Sequence, residues 1–272
     1  MFICPGKVHP LRVASTVLCI VSFSIAPKIW SQSSPVTTPA PVATNKLGQF
    51  DSAALSEILE HLKIVGVAPW SGMQGTGTIT YGADQTPYNA SLSVVEDTKF
   101  RLDGQTPTGS MSVRIHGRSG KIQAPDGKIY ILSPESAALG ALQFELPRME
   151  DLKTRSSALD HGLVTIDGAS LHRVTIERPL IERPLISARK NLAVDFYFDP
   201  STHLLVKTVT AIQLDGARNN LLQIITYGDY RQVNGVMIPF HISRVLDGQK
   251  QWTIQLSEAT LNPSLQSTYF DF

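Results

Sequence analysis

Cysteine is scarce in this sequence. Only Cys4 and Cys19 occur among 272 residues, and both precede residue 32. Because we predict that this N-terminal segment is removed after export, the mature chain is expected to contain no disulfide and no thiol nucleophile. Its stability must then come from side-chain burial and from the pairing of strands.

Motifs of common enzyme classes are missing as well. The sequence contains neither the G-x-S-x-G motif of serine hydrolases nor the H-E-x-x-H motif of zinc proteases. The histidines of the mature chain are scattered over six segments: His61, His116, His161, His172, His203 and His241. We therefore predict no catalytic residue, no metal site and no cofactor. A glycosidase needs only two carboxylates that are distant in sequence, so a secreted hydrolase without a recognisable motif stays an alternative.

Two local patterns that resemble functional motifs have simpler interpretations. Gly75-Thr76-Gly77 begins like a dinucleotide-binding loop, but strand residues follow instead of a helix. These glycines are predicted to form a thin spot within a strand, because glycine has no side chain to pack. Asp160 and His161 are adjacent, yet neighbouring side chains of an extended chain point to opposite faces, so an acid–base pair is not expected.

An excess of basic charge is also missing, since 24 Lys and Arg balance 23 Asp and Glu, and nothing indicates nucleic-acid binding. At the N-terminus, Lys7 and Arg12 precede the uncharged stretch Val13–Ala26, which is shorter than the about 20 residues of a membrane-spanning helix. This pattern predicts a signal peptide over residues 1–31, with an uncleaved membrane anchor as the alternative. The protein is therefore expected to be periplasmic or secreted. Cleavage takes the formal net charge from +1 to −2, because it removes three basic residues and no acidic one.

A helix is predicted at the start of the folded part. Residues 32–50 are rich in Ser, Thr, Pro and Ala without an apolar period, which predicts a disordered linker, and one β domain is expected over residues 51–272. Asp51 is a candidate N-cap, and Gly66 is a stop signal. Between them one apolar stripe repeats at helical spacing: Leu55, Ile58, Leu59, Leu62 and Val65.

The rest of the sequence has the composition and the period of β-strands. Strands are predicted at Gly75–Tyr81, Asn89–Val95, Lys99–Asp103, Met111–His116, Lys128–Leu132, Leu163–Ile166, Ser170–Ile176, Leu192–Phe198, Leu204–Leu214, Leu221–Tyr230, Val236–Arg244 and Gln251–Leu261. Tight turns are predicted at Asp103-Gly104, Asp126-Gly127, Asp167-Gly168, Asp199–Thr202, Asp215-Gly216, Asn234-Gly235 and Asp247-Gly248. No helix-length segment separates the last four strands, so they must form an antiparallel meander.

The middle of the chain is less regular. Pro134–Leu142 and Pro147–Ser156 could form short helices. The pentapeptide IERPL occurs twice in succession, at Ile176–Leu180 and Ile181–Leu185. Its two prolines are unfavourable in a central strand, so we predict that the repeat lies in a loop or at a sheet edge.

Apolar residues on both faces of the strands suggest a curved sheet. Val194, Phe196 and Phe198 line one face of their strand, whereas Ile238 and Phe240 add apolar groups on other faces. An antiparallel sheet usually buries one face only, so helices lying in the hollow of a curved sheet would cover the excess. Loosely fitting helices would leave an apolar cavity suited to an acyl chain, and tightly fitting helices would leave a filled core.

Five segments resemble those of the LolA-like periplasmic lipoprotein carriers. Val194–Val206 (VDFYFDPSTHLLV) resembles the family's hairpin, and Tyr227–Pro239 (YGDYRQVNGVMIP) its strand–turn–strand unit. Glu258–Phe270 is similar to the closing segment of the family. Lys99–Leu102 and Asp126–Tyr130 resemble two strands of its first half. The resemblance covers most of residues 51–272 and is closest in the C-terminal third.

The resemblance implies a mainly β (α+β) fold, in which a curved antiparallel sheet or half barrel carries helices on its concave face. It implies a non-enzymatic periplasmic carrier or binding protein for lipid or lipoprotein acyl chains, with other envelope proteins as possible partners and a monomeric state. The candidate ligand cavity is lined by the helix and by one strand: Leu55, Leu59, Leu62, Val194, Phe196 and Phe198. The sequence departs from the carriers at Val95–Thr98, where acids replace their arginine. A cell-envelope interaction or scaffold module with a filled core is the main alternative.

Overall fold

The computed structural model describes residues 51–66, 71–95, 99–132, 137, 157–179, 191–212 and 221–271. The predicted signal peptide, the linker, the turn at Asp215-Gly216 and, apart from Ala137, the two predicted short helices lie outside these residues. The described elements are α1 (Ser52–Val65), β1 (Gly72–Tyr81), β2 (Tyr88–Val95), β3 (Lys99–Thr106), β4 (Gly109–His116), β5 (Ser119–Gln123), β6 (Ile129–Leu132), β7 (Ser157–Ile166), β8 (Ala169–Pro179), β9 (Asn191–Phe198), β10 (Leu205–Ile212), β11 (Leu221–Val233), β12 (Val236–Leu246), β13 (Gln249–Leu261) and a 3₁₀ helix (Ser267–Phe270).

All thirteen strands form one large curved sheet in which every neighbouring pair is antiparallel. The order is β6-β5-β4-β3-β2-β1-β13-β12-β11-β10-β9-β8-β7, so two meanders meet where the first strand pairs with the last. The sheet does not close, because β6 and β7 are its two ends. The predicted antiparallel sheet is thus confirmed. Within the described residues no helix has both the length and the apolar character of a membrane span.

Most of the predicted tight turns are confirmed. The Asp or Asn has a φ near +50° and the glycine a φ of 77–86° at Asp167-Gly168, Asn234-Gly235 and Asp247-Gly248, as hairpin turns require. The prediction at Asp103-Gly104 is wrong, because both residues lie inside β3. A Cβ on Gly104 would lie 2.9 Å from the Tyr81 hydroxyl oxygen, so this glycine makes room for Tyr81 and no turn is needed.

Two strand predictions need correction. β5 has no counterpart among the predicted strands, because only Ile122 in it is a large apolar residue. Gly120 takes an inward position there, and a Cβ on it would lie 2.8 Å from Leu132 Cδ1, so the Leu132 side chain fills its place. Ile176 and Glu177 of the first IERPL copy pair with both β7 and β9, so the copy begins inside the sheet and not in a loop, whereas Arg178 and Pro179 pair with β9 alone among the described strands. The second copy lies outside the described residues.

Buried apolar side chains form rows that cross neighbouring strands. Leu92, Leu102, Val113 and Ile122 pair in register from β2 to β5. Ile79, Ile254 and Ile242 do the same from β1 to β12. Directly paired residues of antiparallel strands share a face, so these rows make one continuous apolar face. Ala54 and Ile58 of α1 belong to the same core, which places the helix on that face.

Candidate functional site

Helix α1 bridges two distant parts of the sheet. Asp51 caps its first turn as predicted, with Oδ1 accepting from the amide of Ala53 at 2.9 Å, and the Asp51 amide donates to Ala158 O of β7. At the other end Gly66 stops the helix, as predicted, with φ 99° and its amide bonded to Leu62 O. A Cβ on Gly66 would lie 2.6 Å from Gly235 O, in the turn between β11 and β12. The helix therefore runs from the edge strand β7 to the far turn of β11 and β12.

The side of α1 that packs on the sheet differs from the predicted leucine stripe. Ala54, Ile58, His61 and Val65 are buried, and Glu57 is buried beside them. The predicted Leu55 and Leu62 are only half-buried, and Leu59 is 46% exposed. A turn of 100° per residue places these three leucines about a quarter turn away from the buried stripe. The helix thus presents apolar surface that the sheet does not cover.

The three predicted wall residues of β9 lie together on the inner face. Val194, Phe196 and Phe198 are all buried, and the two phenylalanine rings are stacked with centroids 6.5 Å apart. Phe198 contacts α1 through His61, whose ring centroid is 5.1 Å away. The structure therefore brings this wall to the helix through a histidine, with the leucine stripe to one side. The role of the six residues as a ligand cavity stays a prediction.

A polar cluster that the sequence did not predict joins α1 to three parts of the sheet. Glu57 Oε1 lies 3.0 Å from His203 Nδ1, and Glu57 Oε2 lies 3.1 Å from His172 Nδ1. His172 Nε2 lies 2.5 Å from Asp160 Oδ1. His61 Nδ1 donates to the carbonyl oxygen of His203 at 2.7 Å. We call these five residues the histidine–carboxylate cluster.

Local sequence explains how each member reaches the cluster. Glu57 and His61 are one helical turn apart on α1, so they share a face. His203 follows the predicted turn at Asp199, whose Oδ1 accepts from the amides of Ser201 and Thr202, and it has a φ of 54°. Asp160 and His172 come from the paired strands β7 and β8. The helix, two strands and one turn therefore meet at the cluster, and His172 and His203 share the carboxylate of Glu57.

His61 is the most deeply buried member of the cluster. It is fully buried, and its Nε2 has no hydrogen-bond partner among the described residues. Burial lowers the pKa of His61 to about 4, since an imidazolium there would lose its water, and the bond to the His203 carbonyl opposes this only in part. His61 is therefore neutral at ordinary pH and works as an apolar side chain with one donor.

The expectation for Asp160 and His161 is confirmed. Asp160 faces inward to His172, whereas His161 Nε2 donates to Thr175 Oγ1 on the other face of the sheet. Thr175 in turn donates to Asp195 Oδ1 at 2.5 Å, and Arg173 Nη2 donates to Asp195 Oδ2 at 2.8 Å. These contacts satisfy the buried carboxylate of Asp195 within the outer face, as a structural network does.

The clustered histidines do not form a metal site. Within the described residues no group of three or more His, Cys, Asp or Glu side chains is arranged to hold a metal ion. The ring nitrogens of His172 already meet two carboxylates, and His61 donates to a carbonyl. The arrangement suits the holding of a proton better than the ligation of a cation.

A separate hollow of about 900 Å³ lies on the outer face of β1–β5 and β13. Hydroxyl and amide side chains dominate its lining, among them Thr76, Thr78, Asn89, Ser91, Gln105 and Gln255. Its charged residues already have partners, since Asp103 is bonded to Arg101 and Ser112, and Arg114 donates to Ser112 and to Asp271 O. An acyl chain that lay there would have to displace water from these hydroxyl and amide groups, which costs free energy. The predicted acyl site, by contrast, is on the inner face.

Comparison with known proteins supports the fold. No protein-family model matches the sequence, and no curated protein matches it. A candidate outer membrane lipoprotein-sorting protein domain from Vibrio parahaemolyticus superposes with a TM-score of 0.50 at 12% identity, over 80% of this chain and 96% of that one. A LolA superfamily protein from Nitrosomonas europaea gives a TM-score of 0.48 at 14% identity, over 80% and 97%. The resemblance expected from the sequence is thus confirmed as a likeness in fold to the lipoprotein-sorting domain.

Proposed function

We propose that the protein is an exported, non-enzymatic carrier or binding protein that holds an acyl chain of a lipid or an acylated lipoprotein beside α1. The observation that carries this proposal is the apolar stripe Leu55, Leu59 and Leu62, which the sheet leaves partly uncovered although α1 packs on the core. On the inner face of β9, Val194, Phe196 and Phe198 provide a buried apolar wall that meets α1 at His61.

The energetics of transfer support this kind of ligand. Each methylene that leaves water for an apolar environment contributes about 0.8 kcal/mol, so a long chain needs only a continuous apolar surface. The helix is fastened to the sheet by polar contacts at Glu57 and His61. Leu62 of the leucine stripe also packs against the core, and Leu55 and Leu59, a quarter turn from the buried face, are left for contact with a ligand.

The compartment and the fold agree with this proposal. The predicted signal peptide over residues 1–31 would deliver the chain to the periplasm or the medium, where acylated molecules need a carrier through water. The similar Vibrio domain is named as a candidate lipoprotein-sorting protein, and at 12% identity the likeness concerns the fold. Lipid or acylated lipoprotein is therefore our proposed partner, bound by a monomer.

Uptake of a fluorescent fatty acid by the detergent-free protein tests this proposal. Replacing Leu59 by Asn removes apolar surface from the stripe and should raise the Kd about fivefold, equivalent to about 1 kcal/mol of contact. Ile131→Asn is the matched control, because Ile131 is 81% exposed on β6 at the opposite end of the sheet. Equal affinities of the two variants would place the ligand elsewhere. Absence of any uptake would favour the envelope interaction module.

A further inference from the structure

The charge of Glu57 has been taken out of water and placed between two imidazoles. Its side chain is only 5% exposed, because it lies on the helix face that packs on the sheet. A buried carboxylate is costly unless partners supply hydrogen bonds and opposite charge. The partners within reach are His172 and His203, from β8 and from the turn before β10. Docking of α1 therefore depends on the protons that these two imidazoles carry.

His172 stands between two carboxylates. Nδ1 lies 3.1 Å from Glu57 Oε2 and Nε2 lies 2.5 Å from Asp160 Oδ1. A neutral imidazole has one N–H and one lone pair, so one of its nitrogens would turn a lone pair toward a carboxylate. The imidazolium, with an N–H on each nitrogen, faces both carboxylates with a proton and with opposite charge while both stay ionised. The geometry therefore favours one proton more than neutral His172 would carry when α1 is docked.

Among the described residues, no other ionisable group near the cluster supplies the positive charge that would face Glu57 and Asp160. His203 donates through Nδ1 to Glu57, and His61 meets the carbonyl of His203. Asp160 accepts a further bond from the Gly162 amide, which is typical of an ionised carboxylate. Arg173, the neighbour of His172, lies on the outer face and pairs with Asp195. Among the described residues facing the cluster, the cationic charge must come from its own histidines.

We propose that the histidine–carboxylate cluster is a proton-dependent latch that fastens α1 to the sheet. Docking of the helix takes up a proton on His172, and loss of that proton as the pH rises leaves Glu57 buried against a lone pair. The helix end at Glu57 is then released, and its leucine stripe moves with it. Acidification within the range of histidine titration fastens the helix again.

The linkage has a definite sign and size. A free histidine loses its proton near pH 6.5. If the docked state keeps the proton above that pH, the docking constant falls by up to about tenfold for each pH unit. Hydrogen exchange of the α1 amides, corrected for the intrinsic rate at each pH, should therefore show protection that decreases between pH 6.5 and 8.

Two measurements on the full mature chain test the latch. Nitrogen-15 shifts of the His172 ring should show both nitrogens protonated at pH 7.5, where a free histidine is neutral. In hydrogen exchange, His172→Gln should remove the pH dependence of α1 protection, and Asp160→Asn, which keeps the shape of the side chain, should reduce it. His241→Gln is the matched control, since His241 pairs only with Gln255 on the surface, and it should behave like the wild type.

A neutral His172 ring at pH 7.5, or α1 protection that stays constant or increases toward pH 8, would overturn the proposal. Equal pH profiles of the wild type and of both cluster variants would do the same. Neither measurement uses a ligand, so the latch is tested independently of the proposed acyl-chain site. Conversely, a chain that binds no fatty acid could still show a fully working latch.

Discussion

His61 illustrates how one residue can couple the fold to acid. Its Nδ1 donates to His203 O, its Nε2 has no partner among the described residues, and its ring contacts Phe198. The bond to the His203 carbonyl favours the charged form, but the burial of the ring outweighs it and keeps the imidazole neutral. The pKa of about 4 means that the unfolded chain, with a normal histidine, binds the proton more readily than the folded chain does.

This difference predicts a loss of stability on acidification. The contribution of His61 to the free energy of unfolding is fully present above pH 6.5 and declines as the pH falls. At pH 4 the loss amounts to about 3 kcal/mol. His61→Asn keeps a donor for His203 O but cannot be protonated. Urea unfolding measures the free energy of unfolding at pH 7 and at pH 4. Its decrease between these two pH values should be about 3 kcal/mol smaller in the variant than in the wild type. The same pH slope in both proteins would contradict the assignment.

The sequence alone could not have located the histidine–carboxylate cluster. His61, His172 and His203 are separated by at least 31 positions, and none has a partner at ligand spacing. They meet because β8 and β10 both flank β9, and because α1 lies across this region. Glu57 lies outside the apolar stripe that the sequence predicts, so its burial became visible only in the structure. A charge at a core position of an amphipathic helix is unusual and indicates a buried partner.

At the scale of elements, α1 shows what periodicity can and cannot predict. Its limits, its N-cap Asp51 and its stop at Gly66 follow from local chemistry and were predictable. The face of the helix that is buried was not predictable, because more than half of the residues in α1 are apolar. The sheet packs against Ala54, whose small side chain allows close approach, and against Ile58, and it leaves Leu59 46% exposed.

The pairing of β1 with β13 is the element on which both meanders depend. A bulge lies opposite Thr76 and Gly77, where the register shifts. An ideal Cβ on Gly77 would be 2.1 Å from Gln255 O and 2.7 Å from Leu256 Cα, both of them backbone atoms. The glycine-rich stretch therefore lies within a strand, as predicted, and the structure adds that two backbones come close there.

Replacing Gly77 by Ala should consequently destabilise the protein by about 3 kcal/mol, because backbone atoms cannot move aside. Gly228→Ala is the matched control within the same sheet, since its nearest neighbour, His241 Cβ, would be 4.0 Å away. We expect the control to change the free energy of unfolding by less than about 0.5 kcal/mol. Chemical denaturation of the two variants measures both changes in the free energy of unfolding. Comparable losses would show that the close approach at Gly77 is not real.

At the scale of the whole molecule, turn chemistry and strand period were enough to predict an antiparallel meander. The hairpins at Asp167, Asn234 and Asp247 set local pairing without information from elsewhere in the chain. The junction of β1 with β13, which makes one sheet of thirteen strands, joins residues almost 200 positions apart. No local pattern encodes that contact, so the sequence predicted strands and turns but left their overall order open.

The whole account depends on the inner face being available to an acyl chain. The fold, the partly uncovered leucine stripe and the polar attachment of α1 each permit this. The placement of α1 within a concavity of the sheet, rather than simply on its apolar face, is part of the same proposal. A filled interior would leave the leucine stripe as ordinary surface.

Native mass spectrometry of the mature protein, purified from its host without detergent, tests this central claim most directly. We predict a population that carries one additional mass in the range of a fatty acid or a phospholipid, and that loses it on collisional activation. Leu59→Asn should lower the occupied fraction. Protein that has only the mass of the bare chain, both as isolated and after incubation with fatty acid, would contradict the account.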